Sequence, residues 1–296
     1  MSDLSGSDAP GRPGLSNLPD LPNLPDLEPQ SFDLAVLSDA GTERPDNQDA
    51  CGYFIEGPQA ALLVVADGIG GYEGGEIASR MAVDVTLDAY RASPREWGAA
   101  LRLHRAVQRA NIEIRLRASA VPTLRLMGTT LTAAAIEDGR LSAAHVGDCR
   151  LYLARRGRIR QMTRDHTVVA ERVRMGLLKA ADARDHPERS MLSRSLGREL
   201  IVSVGRFSMP LLQGDRVLLC SDGLHNVLTE RELWRSMRTG DAAAACKALI
   251  EAANARGSAD NLTAAVFAMN GATPFAKAAG GAGWPAWLKR FFARPR

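Results

Sequence analysis

Two kinds of apolar pattern alternate along the chain. Short, partly β-branched runs predict strands: FDLAVLSD (32–39), AALLVVAD (60–67), TTLTAAAIED (129–138), RLSAAHVGD (140–148), CRLYLAR (149–155) and RVLLCSD (216–222). Most of them stop at Gly, Asp or Asn, the residues that turn a chain. Asp138-Gly139 and Arg156-Gly157 sit between such runs and predict tight hairpins. Leu192–Gly197 is a further strand candidate. Two longer segments, 74–92 and 97–120, carry apolar residues three and four apart and predict helices, with a third over 241–257. Strands that arrive as hairpins with helices inserted between them predict antiparallel sheets with flanking helices, an α+β sandwich rather than a βαβ array.

The two ends of the 296-residue chain read differently. Residues 1–30 hold six of the fifteen prolines, several in the repeat LPDLPNLPDL (18–27). Proline at that density removes backbone donors and blocks helix, so this arm is expected to be extended and unpacked. From 271 the chain turns Gly- and Ala-rich and closes on WPAWLKRFFARPR (284–296). That leaves 31–270 as one folded domain. The net charge of +3 is unevenly spread: the arm is acidic, the tail basic and the body close to neutral. A neutral body gives little support for nucleic-acid binding. Rings and cations together in 284–296 suit weak contact with a membrane surface or an acidic partner.

Four scattered cysteines, with no CxxC pair, argue against a disulfide framework or a structural zinc site and fit a reducing compartment. The longest strongly apolar run, Ala60–Ala66, is far short of the ~20 residues that span a bilayer. The N-terminus has neither the basic nor the apolar region of a signal peptide, so a cytoplasmic protein is expected.

Carboxylates carry the chemistry. Asp67-Gly68, Asp148 and Asp222-Gly223 each follow an apolar run directly; Asp49 lies in a turn-rich loop, and Asp260-Asn261 precedes the run LTAAVFAM. Any one of them could simply make a turn. Five acids in such positions, without His or Cys partners, suit hard, oxygen-preferring divalent cations, whose charge offsets the mutual repulsion.

In order, SDAGTERPDNQDA (38–50), VVADGIGGYEGGEIAS (64–79), GTTLTAA (128–134), AHVGDCRLYLARRGRIRQMTRDHT (144–167), CSDGLHNVL (220–228) and SADNLTAAVF (258–267) resemble the metal-dependent serine/threonine protein phosphatases, the PPM or type 2C family, in their bacterial form. The resemblance implies an α–β–β–α sandwich with a small flap subdomain over about 166–197. It implies hydrolysis of phosphoserine and phosphothreonine by water activated between two Mn²⁺ or Mg²⁺ ions, with a third ion held more weakly. By position, Asp67 bridges the metals, Gly68 offers its carbonyl, and Asp49, Asp222 and Asp260 complete the set. Asp148, with Asp222, matches the third-metal position, and Arg44 matches the arginine that grips the substrate phosphate. A guanidinium suits that task because its donors form a fork to phosphate oxygens.

Two positions depart from the family pattern. Gln48 stands where many members have Glu, and Tyr72 where bacterial members usually place the His implicated in protonating the leaving oxygen. Tyrosine, with a pKa near 10, is a weaker acid at neutral pH. His145 and His166 match structural positions, and Cys220 reads as a small core residue because no thiol-phosphatase signature surrounds it. The implied partners are phosphorylated proteins and a Ser/Thr kinase that the enzyme opposes, with the chain acting as a monomer. The competing reading is a catalytically weak or inactive sensor or scaffold on the same fold.

Overall fold

The computed structural model describes residues 32–270 apart from Gly71, Arg184 and the side chains of Tyr72 and Glu73. The proline-rich arm and the basic aromatic tail therefore lie outside the described residues. In chain order the elements are β1 (Phe32–Asp39), β2 (Asp49–Ile55), β3 (Ala60–Ile69), α1 (Tyr72–Ala92), α2 (Gly98–Ala120), β4 (Gly128–Thr129), β5 (Leu131–Glu137), β6 (Arg140–Val146), β7 (Arg150–Arg155) and β8 (Arg158–Gln161). After them come α3 (Val168–Arg174), α4 (Ala180–Ala183), β9 (Gly205–Pro210), β10 (Arg216–Cys220), α5 (Asp222–His225), α6 (Glu230–Met237), α7 (Ala242–Ala255) and β11 (Leu262–Met269).

The strands form two antiparallel sheets. One runs β1-β11-β10-β7-β8; the other runs β2-β3-β5-β6-β9, with β4 paired to the end of β3. Side-chain parity explains the stacking. In β3, Leu62, Val64 and Ala66 pack under α1 and α2, whereas Ala61, Leu63 and Val65 meet Leu151, Leu219 and Phe267 of the opposite sheet. In β11 and β10, Val266, Ala264 and Leu218 pack instead on α6 and α7. Both faces of each central strand are covered, so these strands read as unbroken apolar runs despite being antiparallel. Each fully buried Leu, Ile or Val in these layers contributes about 1.5–3 kcal/mol. The four layers are the α–β–β–α sandwich.

The helices are where the 3.6-residue period placed them. On α2, Leu103, Ala106, Val107, Ala110 and Ile114 form the buried stripe, and on α7 Ala245, Cys246, Leu249, Ile250 and Ala253 do. Both predicted hairpins form: Asp138 and Gly139 have φ of 49° and 69°, and Arg156 and Gly157 have 49° and 81°. Two positive φ values in succession match the twist of the flanking strands.

Three expectations are corrected. Leu192–Gly197 is not a strand; it contributes only isolated bridges, Thr129 to Leu196 and Thr167 to Leu192, because the segment crosses the sheet ends instead of running along an edge. Asp49 is not in a loop but opens β2, whose mixed sequence DACGYFI hides its alternation. Finally, β3 does not stop at Asp67, since β4 extends its pairing through Gly68 and Ile69.

Candidate metal centre

Strand register brings the first two acids together. Asp49 and Asp67 are direct partners across the β2–β3 pair. Cross-strand partners place their side chains on one face, with Cβ atoms about 5 Å apart. By parity that face is the one carrying Leu63 and Val65 into the space between the sheets. Asp148 sits in the turn from β6 to β7, Asp222 opens α5 after β10, and Asp260 precedes β11. Antiparallel connectivity puts these strand ends at one mouth of the sandwich. Asp67, Asp148 and Asp222 line a cavity of about 680 Å³ there, together with Ser190–Ser195 and Arg198 from the excursion between β8 and β9.

The carboxylates feel one another. Burial, then repulsion from Asp49, Asp222, Asp148 and Asp260, holds Asp67 well above the usual carboxylate range. Burial lifts Asp49 to about 7 against hydrogen bonds from Ser221 and Thr263, with Asp222 and Asp260 adding repulsion. Asp148 rises to about 8 through burial and Asp222, and Asp222 to about 6 through burial and Asp260. A set of buried acids that disfavour their own ionisation is one that a divalent cation stabilises.

The residues fit hard divalent cations by donor type, charge and location. Among the described residues no three acidic, His or Cys side chains form a ready-made metal cage. Protein donors take up several oxygens instead. Thr263 donates to Asp49 Oδ2 at 2.7 Å, Asn226 to Asp222 Oδ2 at 3.1 Å, and Arg44 to Asp260 Oδ2 at 3.0 Å.

The main chain around Asp67 is fastened independently of its side chain. Its carbonyl accepts from Thr130 N–H and Thr129 Oγ1, both at 2.8 Å, and its N–H donates to Thr130 Oγ1 at 3.1 Å. Gly68 donates its N–H to the Gln48 carbonyl at 3.1 Å. A Cβ on Gly68 would fall 2.2 Å from the Gly75 carbonyl oxygen and 2.7 Å from that of Gln48. Only glycine lets β3 and the start of α1 approach this closely. Gln48 is thereby a backbone bridge between Gly68 and Asn261, to whose Oδ1 its own N–H donates at 2.9 Å.

Arg44 lies on the loop between β1 and β2. Its Nη2 meets Asp260, its Nε donates to the Ala259 carbonyl at 3.1 Å, and its side chain is 53% exposed. Asn261 holds this loop in place, donating to the carbonyls of Ala40 and Asp46, both at 2.9 Å. The fastening roles of Thr129, Thr130, Thr263 and Asn261 escaped sequence reasoning. Their signal is polarity inside apolar runs, since all four are buried.

His145 is buried between Thr132 and the Arg164 carbonyl, and burial lowers it to about 3; His166 is lowered by burial and Arg194 to about 4. Both are buried and neutral. Burial pushes the Cys220 thiol up to about 12, as befits an inert core residue. Tyr72 opens α1, but its side chain lies outside the described residues.

Comparison with known proteins adds to this picture. The family described as "Protein phosphatase 2C" matches residues 42–267. The serine/threonine phosphatase Stp of Listeria monocytogenes is 38% identical, over 76% of this chain and 91% of that protein. The crystal structure of the Mycobacterium tuberculosis serine/threonine phosphatase PstP/Ppp is 34% identical, covers 81% of this chain and 99% of its own, and superposes with a TM-score of 0.73. A structure of the PstP catalytic domain, 32% identical over 81% of this chain and 98% of its own with a TM-score of 0.71, is in complex with two manganese ions.

Proposed function

The chain belongs to the protein phosphatase 2C family, and from that premise we propose how its own residues perform the hydrolysis of phosphoserine and phosphothreonine in proteins. The enzyme is a metal-dependent serine/threonine protein phosphatase. The observation that carries the assignment of roles is the register pair Asp49–Asp67, with Asp148, Asp222 and Asp260 gathered at the same mouth of the sandwich.

Asp67, the Gly68 carbonyl, Asp49, Asp222 and Asp260 would hold two divalent cations, Mn²⁺ or Mg²⁺, and Asp148 with Asp222 would hold a third more weakly. When bound, such cations acidify water and draw charge from phosphate oxygens. The chain itself does the positioning. Thr129 and Thr130 fix the main chain of Asp67, and Asn261 fixes the loop that presents Arg44. Arg44, held at Nε by the Ala259 carbonyl and at Nη2 by Asp260 and still half-exposed, offers its remaining N–H groups to phosphate oxygens. Residues 166–197 act as a flap: Ser190–Ser195 form one wall of the cavity, where a substrate side chain enters. The full complement of acids supports catalysis over an inactive scaffold. The substrates are phosphorylated proteins, and we propose that the enzyme, acting as a monomer, opposes a Ser/Thr kinase. Contact of 284–296 with a membrane or acidic partner is a proposal on sequence alone.

Arg44→Ala tests the assignment of the site. Loss of a charge-assisted contact worth about 1.5–3 kcal/mol should lower kcat/KM about 10- to 150-fold, chiefly through KM. Steady-state hydrolysis of a phosphothreonine peptide measures it; unchanged KM and kcat would mean that Arg44 does not face the phosphate.

A further inference from the structure

The excursion between β8 and β9 leaves the sandwich through Met162–His166 and returns through Ser203–Gly205. These two stretches meet: Gly205 pairs with His145 and lies beside the His166 ring. β8 and β9 are edge strands, one from each sheet. Between them, at the open side of the sandwich, lies a cavity of about 400 Å³. It shares no lining residue with the cavity that holds Asp67, Asp148 and Asp222.

The lining is one-signed. Arg160, Arg164 and Arg206 are among its lining residues, and none of the lining residues is acidic. Arg164 and Arg206 are exposed and make no side-chain hydrogen bond or ion pair among the described residues. The Arg164 main chain is held, its carbonyl accepting from His145 Nε2 at 3.0 Å.

A donor waits at the floor. His166 is only 7% exposed. Its Nδ1 accepts the Gly147 N–H at 3.1 Å, which leaves the ring proton of a neutral imidazole on Nε2. Nε2 has no hydrogen-bond partner among the described residues and lies next to Gly205, a wall residue of the same cavity. Nε2 is not closed off from solvent, so its N–H is open to an acceptor in the cavity. Arg164 and Arg206 beside that donor, with Arg160 on the same lining, form a recognition set for a tetrahedral oxyanion.

We propose that this cavity at the root of the excursion is a second, non-catalytic binding site for a phosphate-class oxyanion. The anion bridges Arg164 and His166 on the entering stretch to Arg206 just beyond the returning one. His166 also donates its backbone N–H to the Gly147 carbonyl at 2.8 Å, so the site lies one residue from Asp148 along the chain. The ligand is either free orthophosphate or a phosphoryl group carried on an organic residue. The proposal does not rest on the assignment of the metal ligands.

Equilibrium dialysis of the full chain, loaded with Mn²⁺, against labelled orthophosphate tests it. Two phosphates should bind per chain, and Arg164→Glu/Arg206→Glu should bind one while hydrolysing a small aryl phosphate at the wild-type rate. Arg206→Gln alone should raise the half-saturating concentration at the second site about tenfold. Competition by a non-hydrolysable phosphonate mimic of phosphoserine separates the two sources: displacement at the second site identifies a carried phosphoryl group, and its absence identifies the free ion. One phosphate per chain in both wild type and double variant would overturn the proposal.

Discussion

Asp67→Asn is expected to lower kcat/KM for phosphothreonine peptides by about a thousandfold or more while the protein stays folded. Several kcal/mol of charge stabilisation would pass through the ions that this carboxylate is proposed to hold, and each 1.36 kcal/mol is tenfold in rate. Asp67 is the acid on which all four others converge, so its charge is the one best placed to be shared between two cations. Folding should survive because its backbone, not its carboxylate, is bonded to Thr129 and Thr130. Asparagine keeps the shape and loses the charge. Kinetics at saturating Mn²⁺, with the thermal midpoint as control, measure the effect; near-wild-type activity would remove Asp67 from the machinery.

Stability of the metal-free protein should fall as pH rises from about 6.5 to about 8, by on the order of 3 kcal/mol, the equivalent of about two pKa units on one group. Asp49 and Asp148, raised to about 7 and about 8, and Asp67, held well above the usual carboxylate range, keep protons in the folded chain that the unfolded chain has released by pH 5. The folded state binds more protons throughout this window, so stability declines with increasing pH. Below about 6.5 the neutral, buried His145, His166 and His225 act in the opposite sense, because each must give up a favourable proton uptake available when unfolded. The window above 6.5 therefore isolates the acids. Mn²⁺ binds the ionised carboxylates, so it should raise the thermal midpoint more at pH 8 than at pH 6.5. A metal-free midpoint that is flat or rises across this window would show that the acids do not crowd one another.

Much of this was legible because the sequence states it locally. The apolar runs of β3, β5, β10 and β11 are unambiguous because both faces of each are buried, and the hairpin turns declare themselves through Asp-Gly and Arg-Gly at positive φ. The acids stand out as polar residues at the ends of those runs. β2 was not legible. Its Asp49, Cys51 and Gly52 lack a strand's preferences, and it exists because β3 offers a partner edge and Gly52 accommodates Val83 and Leu87 of α1. Leu192–Gly197 misled for the converse reason: local pattern suggested a strand, but the segment bridges its neighbours only at Leu192 and Leu196 and runs along no sheet edge. The Asp49–Asp67 pairing is a matter of register between strands, and a single sequence without β2 cannot yield it. Likewise, the work of Asn261 spans more than two hundred residues, from Ala40 and Asp46 to the start of β11.

The central claim is that this acidic mouth hydrolyses phosphoserine and phosphothreonine only with divalent cations in place. Phosphate release from a phosphothreonine peptide by the full chain, first in excess EDTA and then on titration with Mn²⁺, tests it most directly. Release should be absent in EDTA, return with Mn²⁺ in the wild type, and fail to return in Asp67→Asn. Full activity in EDTA would contradict the account.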